Sequence, residues 1–294
     1  MPSLAPSRAG DFKTCPLLYR FRSIDRMPAR PTADQARGTL VHAVLERLFD
    51  LPPAERTPER AAALVEPQWA RLVEQEPGLT SVVAPPPETP AETLVDVDIP
   101  GGAEGFLASA RELLGGYFAV EDPRRLAPAE REFLVSTEVD LGDERRLLLR
   151  GYIDRLDVSP AGDIRVVDYK TGGAPREAFE ARALFQLKFY ALVLWRTRGV
   201  VPRMLRLIYL KDAETCDYAP DTGELERFER TLVALWAAIE QATAARDFRP
   251  KPSRLCGWCS HQALCPAFDG TPPPFPEIIP APAILTAAGE PTDP

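Results

Sequence analysis

Apolar residues recur every three or four positions in three stretches of the chain, which predicts three amphipathic helices. In the first stretch, Leu40, Val44 and Leu48 lie four residues apart on one helical face, and Thr32 or Asp34 can cap the N-terminus. The second stretch ends at a glycine, and the third leads into a cysteine-rich segment. The predicted helices cover residues 32–51, 183–199 and 225–245.

Four strand-like runs rich in aliphatic residues lie between the first and the third of these helices. Three of them are separated only by turn residues at 142–143 and 159–162, so they predict a β-meander. The second helix then separates the meander from the fourth run, and such a crossover can place that strand parallel to its neighbour. The runs cover residues 133–141, 146–158, 163–171 and 204–212.

Two segments depart from this regular pattern. Residues 52–132 are typical of an acidic helical insertion broken by proline, with a turn-rich stretch at 82–93. The last 23 residues contain eight prolines, which predicts a disordered tail. We therefore expect one domain at 1–270, with the helical insertion at about 52–132, followed by a Pro-rich disordered tail at 271–294.

The chain has 294 residues, 45% of them apolar, and a formal net charge of -8. Negative charge disfavours a polyanionic partner, because nucleic-acid affinity rests largely on Lys and Arg. The charge is unevenly distributed, however: residues 51–144 hold 19 acidic and 7 basic residues, whereas residues 182–211 hold 7 basic and none acidic. A solvated face explains such a run equally well, so the pattern permits nucleic acid without requiring it.

The sequence contains neither a run of about 18 apolar residues that could span a bilayer nor the apolar stretch of a secretory signal. A cytoplasmic protein with no membrane association is expected. In a reducing compartment, cysteines favour metal binding over disulfides.

Four of the five cysteines form a candidate metal set, one near the start of the chain and three near its end in a CxxCx5C spacing. Four thiolates can hold an iron-sulfur cluster or zinc. The lone distant cysteine fits paired zinc knuckles poorly, which favours the cluster, but His261 can enter a zinc site and keeps that alternative open. Cys216 is left over. The candidate set is Cys15, Cys256, Cys259 and Cys265.

Two carboxylates of the predicted meander can meet, because Asp154 and Asp168 lie on adjacent antiparallel strands. Side chains alternate along a strand, so Asp168 and Lys170 share one face, while Tyr169 points away and leaves its carbonyl free for a metal. Carboxylates suit Mg²⁺ or Mn²⁺, and a cation beside a lysine is the minimum that phosphodiester cleavage needs. Taken alone, an Asp-x-Lys sequence also occurs by chance in many proteins.

Three further polar residues lie on the predicted helices. His42 is on the face opposite the apolar stripe, where a lone histidine is more often structural than a ligand. Gln186 and Tyr190 are four residues apart on one face, from which they can contact a phosphate or stack on a base. By themselves, two residues in this spacing are more typical of packing.

Four motifs resemble, in order and spacing, those of RecB-like PD-(D/E)xK nucleases: GxxxH, GxxD, DxK and QxxxY. They are GTLVH (38–42), GYID (151–154), VVDYK (166–170) and QLKFY (186–190). The cysteine set resembles the [4Fe-4S] subgroup, which includes AddB-type nuclease domains and CRISPR-associated four-cysteine nucleases. The resemblance reaches from Cys15 to Cys265 and implies an α/β fold with a restriction-endonuclease-like core, in which helices flank a mixed central sheet.

The resemblance also implies roles for single residues. The metal ligands would be His42, Asp154, Asp168 and the Tyr169 carbonyl. Lys170, with the two aspartates, would be catalytic. Gln186 and Tyr190 would bind substrate, and the four cysteines would bind the cluster and tie the two ends of the chain together.

The implied function is a metal-dependent DNA exonuclease acting on single-stranded ends in recombination or repair. A CRISPR spacer-processing nuclease is the nearest alternative, followed by a catalytically silent iron-sulfur module for DNA binding or assembly, and by a redox sensor. The sequence has no P-loop of the form GxxxxGKS/T, so any unwinding needs a helicase partner.

Overall fold

The computed structural model describes residues 1–28, 31–83, 101–174, 180–277, 284–285 and 291–292. Within these ranges, none of the helices combines the length and the apolar composition needed to cross a bilayer. The helices are α1 (Pro6–Thr14), α2 (Pro16–Tyr19), α3 (Ala33–Leu48), α4 (Pro58–Gln75), α5 (Thr80–Val83), α6 (Gly102–Val120), α7 (Glu180–Arg198) and α8 (Thr222–Ala245). The strands are β1 (Ser3–Leu4), β2 (Glu130–Gly142), β3 (Arg145–Val158), β4 (Ile164–Lys170), β5 (Met204–Tyr209), β6 (Glu214–Tyr218), β7 (Ile284–Leu285) and β8 (Pro291–Thr292).

The central sheet is mixed. Its strands follow the order β1-β3-β4-β5-β6, and β2 pairs with β3. The antiparallel pairing of β2, β3 and β4 in chain order confirms the predicted meander. The predicted crossover is confirmed too, since α7 leads to β5, which is parallel to β4. A mixed sheet flanked by helices is the core that the resemblance implied.

The start of α3 is fixed by a capping box. Gln35 donates its backbone N–H to the Thr32 hydroxyl at 3.2 Å, and the Gln35 side chain accepts from the Thr32 N–H at 3.1 Å. These reciprocal bonds satisfy backbone donors that the first turn would otherwise leave free. The cap sets the direction in which α3 carries His42 to the sheet.

Helices cover both faces of the sheet and create two hydrophobic clusters. On one face, α7 and α8 pack with Val166 and Leu205, together with the N-terminal segment. On the other face, α3, α4 and α6 pack with Val167 and Tyr169. Side chains alternate along β4, so Tyr169 points to one face of the sheet and Asp168 and Lys170 point to the other, as expected.

The predicted insertion is helical and completes the second cluster through α4, α5 and α6. A Cβ at Gly116 would lie only 1.8 Å from the Leu210 carbonyl oxygen, so glycine allows α6 to lie directly against the end of β5. Residues 84–93 of the turn-rich stretch lie outside the described residues. The insertion also ends earlier than predicted, because β2 already begins at Glu130.

A buried arginine connects α6 to the sheet. Arg155 is 0% exposed and forms ion pairs with Glu121 at 2.8 Å and with Asp157 at 3.2 Å. It also donates a hydrogen bond to Tyr169 Oη at 2.8 Å. A charge is tolerated in the interior only when it is paired in this way. Because Arg155 directly follows Asp154, this network adjoins a residue of the predicted active site.

The two ends of the described domain pack into the first cluster. β1 pairs parallel with β3, and Phe275 stacks on Phe248 with ring centroids 6.1 Å apart. Phe275 belongs to residues 271–277, the described beginning of the segment predicted to be a disordered tail. The remainder of that segment, apart from β7 and β8, lies outside the described residues.

The basic stretch at 182–211 does not form a free positive face among its described side chains. Four of its cations pair with carboxylates at 3.0 Å or less, and two of those carboxylates are supplied by α8. The solvated, ion-paired interpretation therefore accounts for these residues. The pairs are Lys188–Glu224, Arg196–Glu229, Arg203–Asp163 and Arg206–Asp217.

Candidate active site

Three elements bring potential metal ligands to one point. His42 on α3, Glu132 on β2 and Asp154 on β3 each place one ligand atom within 4.8 Å of the other two. His42 Nδ1 lies 3.5 Å from Asp154 Oδ2 and 3.9 Å from Glu132 Oε1. Asp168, a predicted ligand, is outside this group of three.

The main chain of β4 lies against the same histidine. His42 Nε2 is 3.0 Å from the Tyr169 carbonyl oxygen, and Asp154 Oδ2 accepts a hydrogen bond from the Tyr169 N–H at 2.7 Å. At 3.0 Å, the contact between the histidine and the carbonyl is a hydrogen bond in which His42 Nε2–H donates to the carbonyl, which leaves Nδ1 as the imidazole nitrogen that faces the carboxylates.

Negative charge accumulates around this point, where Glu132, Asp154 and Asp168 converge on His42 and Lys170. Burial alone would lower the pKa of His42, but the carboxylates of Asp154 and Glu132 outweigh it and raise that pKa to about 9. Burial raises the pKa of Asp154 to about 7; His42 opposes this shift, and the Asp168 and Glu132 charges reinforce it. A divalent cation would relieve this excess of negative charge.

The predicted catalytic lysine lies at the edge of the carboxylate group. Lys170 Nζ is 2.7 Å from Asp168 Oδ2 and donates a hydrogen bond to Gln186 Oε1 at 2.9 Å. Gln186 Nε2 donates in turn to Tyr190 Oη at 3.0 Å. The DxK and QxxxY motifs thus form one hydrogen-bonded chain from β4 to α7, and this chain fixes the position of the lysine.

Tyr190 lies too deep for the stacking on a base that was considered from the sequence. It is 4% exposed, and its ring packs against the backbone of β3. A Cβ at Gly151 would be 2.8 Å from Tyr190 Cε1 and 3.3 Å from Pro6 Cδ, so the glycine of the GYID motif permits this packing. Burial therefore corrects that part of the expectation: Tyr190 supports Gln186 instead of presenting its ring to a base.

A cleft of about 700 Å³ opens above these residues. The cleft is within the size range of small-molecule sites, so a single nucleotide unit fits it. One wall is the start of α3 and the other is the turn after β4, with Gln186 on α7. The lining includes His42, Asp154, Asp168 and Lys170, which places the candidate ligands and the lysine in the same solvent-accessible space.

The donor set fits a hard divalent cation. Carboxylate and carbonyl oxygens with one imidazole are ligands that Mg²⁺ and Mn²⁺ accept. When bound, such a cation would lower the pKa of a water and neutralise charge on a phosphate. Lys170, held by Gln186, would add positive charge at a fixed position.

Glu132 was not among the predicted ligands, because the predicted strand began at Phe133 and left Glu132 in the insertion. The neighbours of Glu132 on β2 pair with Arg155 and Ile153, which puts Glu132 opposite Asp154. Its φ of 43° is uncommon for a residue other than glycine. The sequence signal for Glu132 is an acidic residue on the neighbouring strand, opposite Asp154 of the GYID motif.

The four predicted cluster ligands line one cavity. Cys15 lies between α1 and α2, and the other three lie in the short 3-10 turns that follow α8. The backbone N–H groups of Lys251 and Ser253 donate to the sulfurs of Cys15 and Cys256 at 3.4 and 3.3 Å. Hydrogen bonds to sulfur are also found at iron-sulfur sites, where they tune the cluster. The leftover Cys216 is on β6.

The thiols of this cavity are more widely spaced than the ligands of a single zinc ion. Four zinc–sulfur bonds of about 2.3 Å in a tetrahedron set the sulfurs about 3.8 Å apart. In the described part of the chain, no three ligand atoms of this cavity lie within 4.8 Å of one another. His261 lines the same cavity, and its buried Nε2 has no hydrogen-bond partner among the described residues.

A model of the PD-(D/E)XK nuclease superfamily matches residues 3–266, a range that holds the cleft and all four cysteines. The chain belongs to this superfamily. Membership makes the protein a nuclease and its substrate a nucleic acid. The match also agrees with the observed core, a mixed sheet flanked by helices.

Relatives and solved structures resemble this nuclease along most of its length. The "Gene 69 protein" of Mycobacterium phage D29 is 26% identical over 281 residues, which cover 91% of this chain and 98% of that protein. The "Gene 69 protein" of Mycobacterium phage L5 is also 26% identical, with 91% and 97% covered. A solved structure of a "Putative exonuclease" from Eubacterium rectale shares the fold, with a TM-score of 0.51 at 10% identity, covering 88% of this chain and 87% of that one.

Proposed function

We propose that this nuclease is a metal-dependent DNA exonuclease that acts on single-stranded ends during recombination or repair. The observation that carries the proposal is the convergence of His42, Glu132 and Asp154, whose ligand atoms all lie within 4.8 Å of one another, beside a lysine held by Gln186. It gives the cleft one cation site and one fixed positive charge. Those two features are what hydrolysis of a phosphodiester requires.

In this proposal His42, Asp154, Asp168 and the Tyr169 carbonyl hold Mg²⁺ or Mn²⁺, with Glu132 as an additional acidic ligand. The cation supplies Lewis-acid chemistry. Asp168 would bind the cation through a carboxylate that also pairs with the Lys170 ammonium at 2.7 Å. Because Gln186 accepts from the same ammonium, the lysine pays little orientational entropy when a phosphate arrives.

The cleft volume supports a single-stranded substrate. About 700 Å³ accommodates one nucleotide unit, whereas a base pair with its two backbones is much larger. A strand end that enters this space exposes one phosphodiester to the lysine at a time. This size is the basis on which we propose stepwise degradation from an end.

We also assign a [4Fe-4S] cluster to Cys15, Cys256, Cys259 and Cys265, which makes the protein a RecB-like member of the four-cysteine subgroup. The cluster would close a loop of more than 200 residues, and the entropy lost by the unfolded chain grows with loop length. Any unwinding would come from a helicase or recombination partner. A CRISPR role would use the same residues, and genomic neighbours distinguish the two settings.

The direct test is cleavage of 5′-labelled and 3′-labelled DNA, single-stranded and duplex, with Mg²⁺, Mn²⁺ or EDTA. Wild type is compared with Lys170→Ala and with a matched control, Lys188→Ala. Lys188 lies on α7 and pairs with Glu224, so its loss removes the same charge without touching the cleft. Products are resolved on a denaturing gel.

We expect cleavage that requires the metal, is lost in Lys170→Ala and is retained in Lys188→Ala. The label released first gives the polarity. If cluster-replete wild type binds DNA without cutting it in either metal, the catalytically silent binding module replaces this proposal.

A further inference from the structure

The two chain segments that carry the cysteines also carry exposed cations. Lys13 and Lys251 are both exposed, and Lys251 Nζ donates a hydrogen bond to the Lys13 carbonyl oxygen at 3.2 Å. The two lysines are therefore neighbours. Neither ammonium has a carboxylate partner among the residues that the structure describes. Arg254, exposed on the 3-10 turn that holds Cys256, has none there either.

Like charges held together repel each other. An anion placed between the two ammonium groups would remove this repulsion. The pair therefore differs from four cations of the basic stretch, Lys188, Arg196, Arg203 and Arg206, which carboxylates of the fold already neutralise.

These lysines contact both α7 and the cysteine segment. Lys13 Nζ is 3.9 Å from the centre of the Phe185 ring, and Phe185 directly precedes Gln186 on α7. The backbone N–H of Lys251 donates to the sulfur of Cys15. Lys251 also lines the cysteine cavity.

The cysteine segment also carries an exposed aromatic ring. Trp258 falls between Cys256 and Cys259 and is 82% exposed, which makes it the most exposed large hydrophobic residue in the described part of the chain. It shares its 3-10 turn with Arg254. A solvent-exposed indole beside unneutralised cations is the combination that binds single-stranded nucleic acid, because each base offers a face for stacking.

We infer that Lys13, Lys251 and Trp258 form a track for single-stranded DNA that extends from α7, the helix that carries Gln186, along the cysteine segment. The two lysines, with Arg254, bind successive phosphates, and Trp258 stacks on an unpaired base. The inference rests on the proposed function, because it takes the nuclease substrate as its ligand. It adds a binding role for the cysteine segment besides holding the chain ends.

The test is fluorescence anisotropy with a fluorescein-labelled single strand of about 20 nucleotides, a length that exceeds one typical binding site. A duplex of the same sequence is the second probe. All proteins carry Lys170→Ala so that bound DNA stays intact. The variants are Lys13→Ala, Lys251→Ala, Trp258→Ala and Trp258→Phe, with Lys188→Ala as the charge-matched control.

We expect Trp258→Ala to weaken single-strand binding at least about fivefold and Trp258→Phe to restore most of it, since phenylalanine can also stack. Each lysine variant should reduce the slope of log affinity against log salt by about 0.7, the value for one phosphate contact on a single strand. Lys188→Ala should change neither quantity. Visible absorbance and melting temperature identify any variant that has lost its cluster or fold.

Unchanged single-strand affinity and salt slope in the lysine and Trp258 variants would overturn the track and leave Trp258 for a protein partner. The proposed function would survive that result if wild type still cut DNA. If the Lys170→Ala background bound neither probe and wild type cut neither, the proposed function and the track would fail together.

Discussion

Glu132 on β2 and His42 on α3 face each other at 3.9 Å between Oε1 and Nδ1, although 90 positions separate them in the chain. Asp154 is the third member of their group. Asp168, which the DxK motif predicts as a ligand, lies outside this group and pairs with Lys170. Glu132 takes the third place beside His42 and Asp154. We therefore expect Glu132 to contribute directly to cation binding.

Replacement of Glu132 by glutamine keeps the size of the side chain and removes its charge. We expect Glu132→Gln to weaken Mn²⁺ binding at least about tenfold, as loss of a supporting group at a metal site does. Isothermal titration calorimetry measures this without reference to activity. Glu138→Gln, an exposed position on the same strand, is the matched control. Equal Mn²⁺ affinity in wild type and Glu132→Gln would show that Glu132 is not a ligand.

Gln186 is expected to act through the lysine that it holds. In Gln186→Ala the ammonium keeps its contact with Asp168 but loses its second partner, so it can rotate away from the cleft. We expect kcat to fall roughly 10-fold to 100-fold while Mn²⁺ affinity stays unchanged. Gln241→Ala, exposed on α8, controls for the substitution itself. A large change in KM with constant kcat would point instead to direct substrate binding.

The parts of the fold that could be predicted are those with a local periodic signal. The helix that carries His42, the meander and the crossover to β5 all follow from apolar spacing and turn residues. Strand alternation also placed Tyr169 on the face opposite Lys170. Short motifs therefore gave both the elements and the orientation of several site residues.

Contacts between distant segments could not be predicted in the same way. Glu132 reaches the site because β2 begins early and pairs in a register that sets it opposite Asp154. In the basic stretch, Lys188 and Arg196 are paired because α8 supplies Glu224 and Glu229. Both outcomes depend on which elements pack together, and side-chain periodicity carries no information about that.

Arg155 should be essential for stability without touching substrate. Its replacement by methionine would remove the closest cation of the buried Glu121 carboxylate, and removing one partner of a buried ion pair costs about 3–5 kcal/mol. We expect a matching loss in the free energy of unfolding, measured by chemical denaturation. Arg124→Met, which breaks an exposed pair with Asp122, should leave the unfolding midpoint nearly unchanged. A small change in the free energy of unfolding in Arg155→Met would mean that water solvates the carboxylates in place of Arg155.

A substitution in the cysteine cavity distinguishes a bound cluster from bound zinc and from cysteines that pack without a metal. Cys256→Ser removes one thiolate of four, so anaerobically purified protein should lose its visible absorbance, its iron and its sulfide, and should melt at a lower temperature. Cys216→Ser is the matched control, because Cys216 lies on β6 and should leave all four quantities unchanged. If wild type contains zinc and no iron, the cysteine cavity is a zinc site, with His261 as a candidate ligand. Equal metal content and melting temperature in wild type and Cys256→Ser would remove Cys256 from any metal site, because a thiolate ligand cannot be lost without one of these quantities changing.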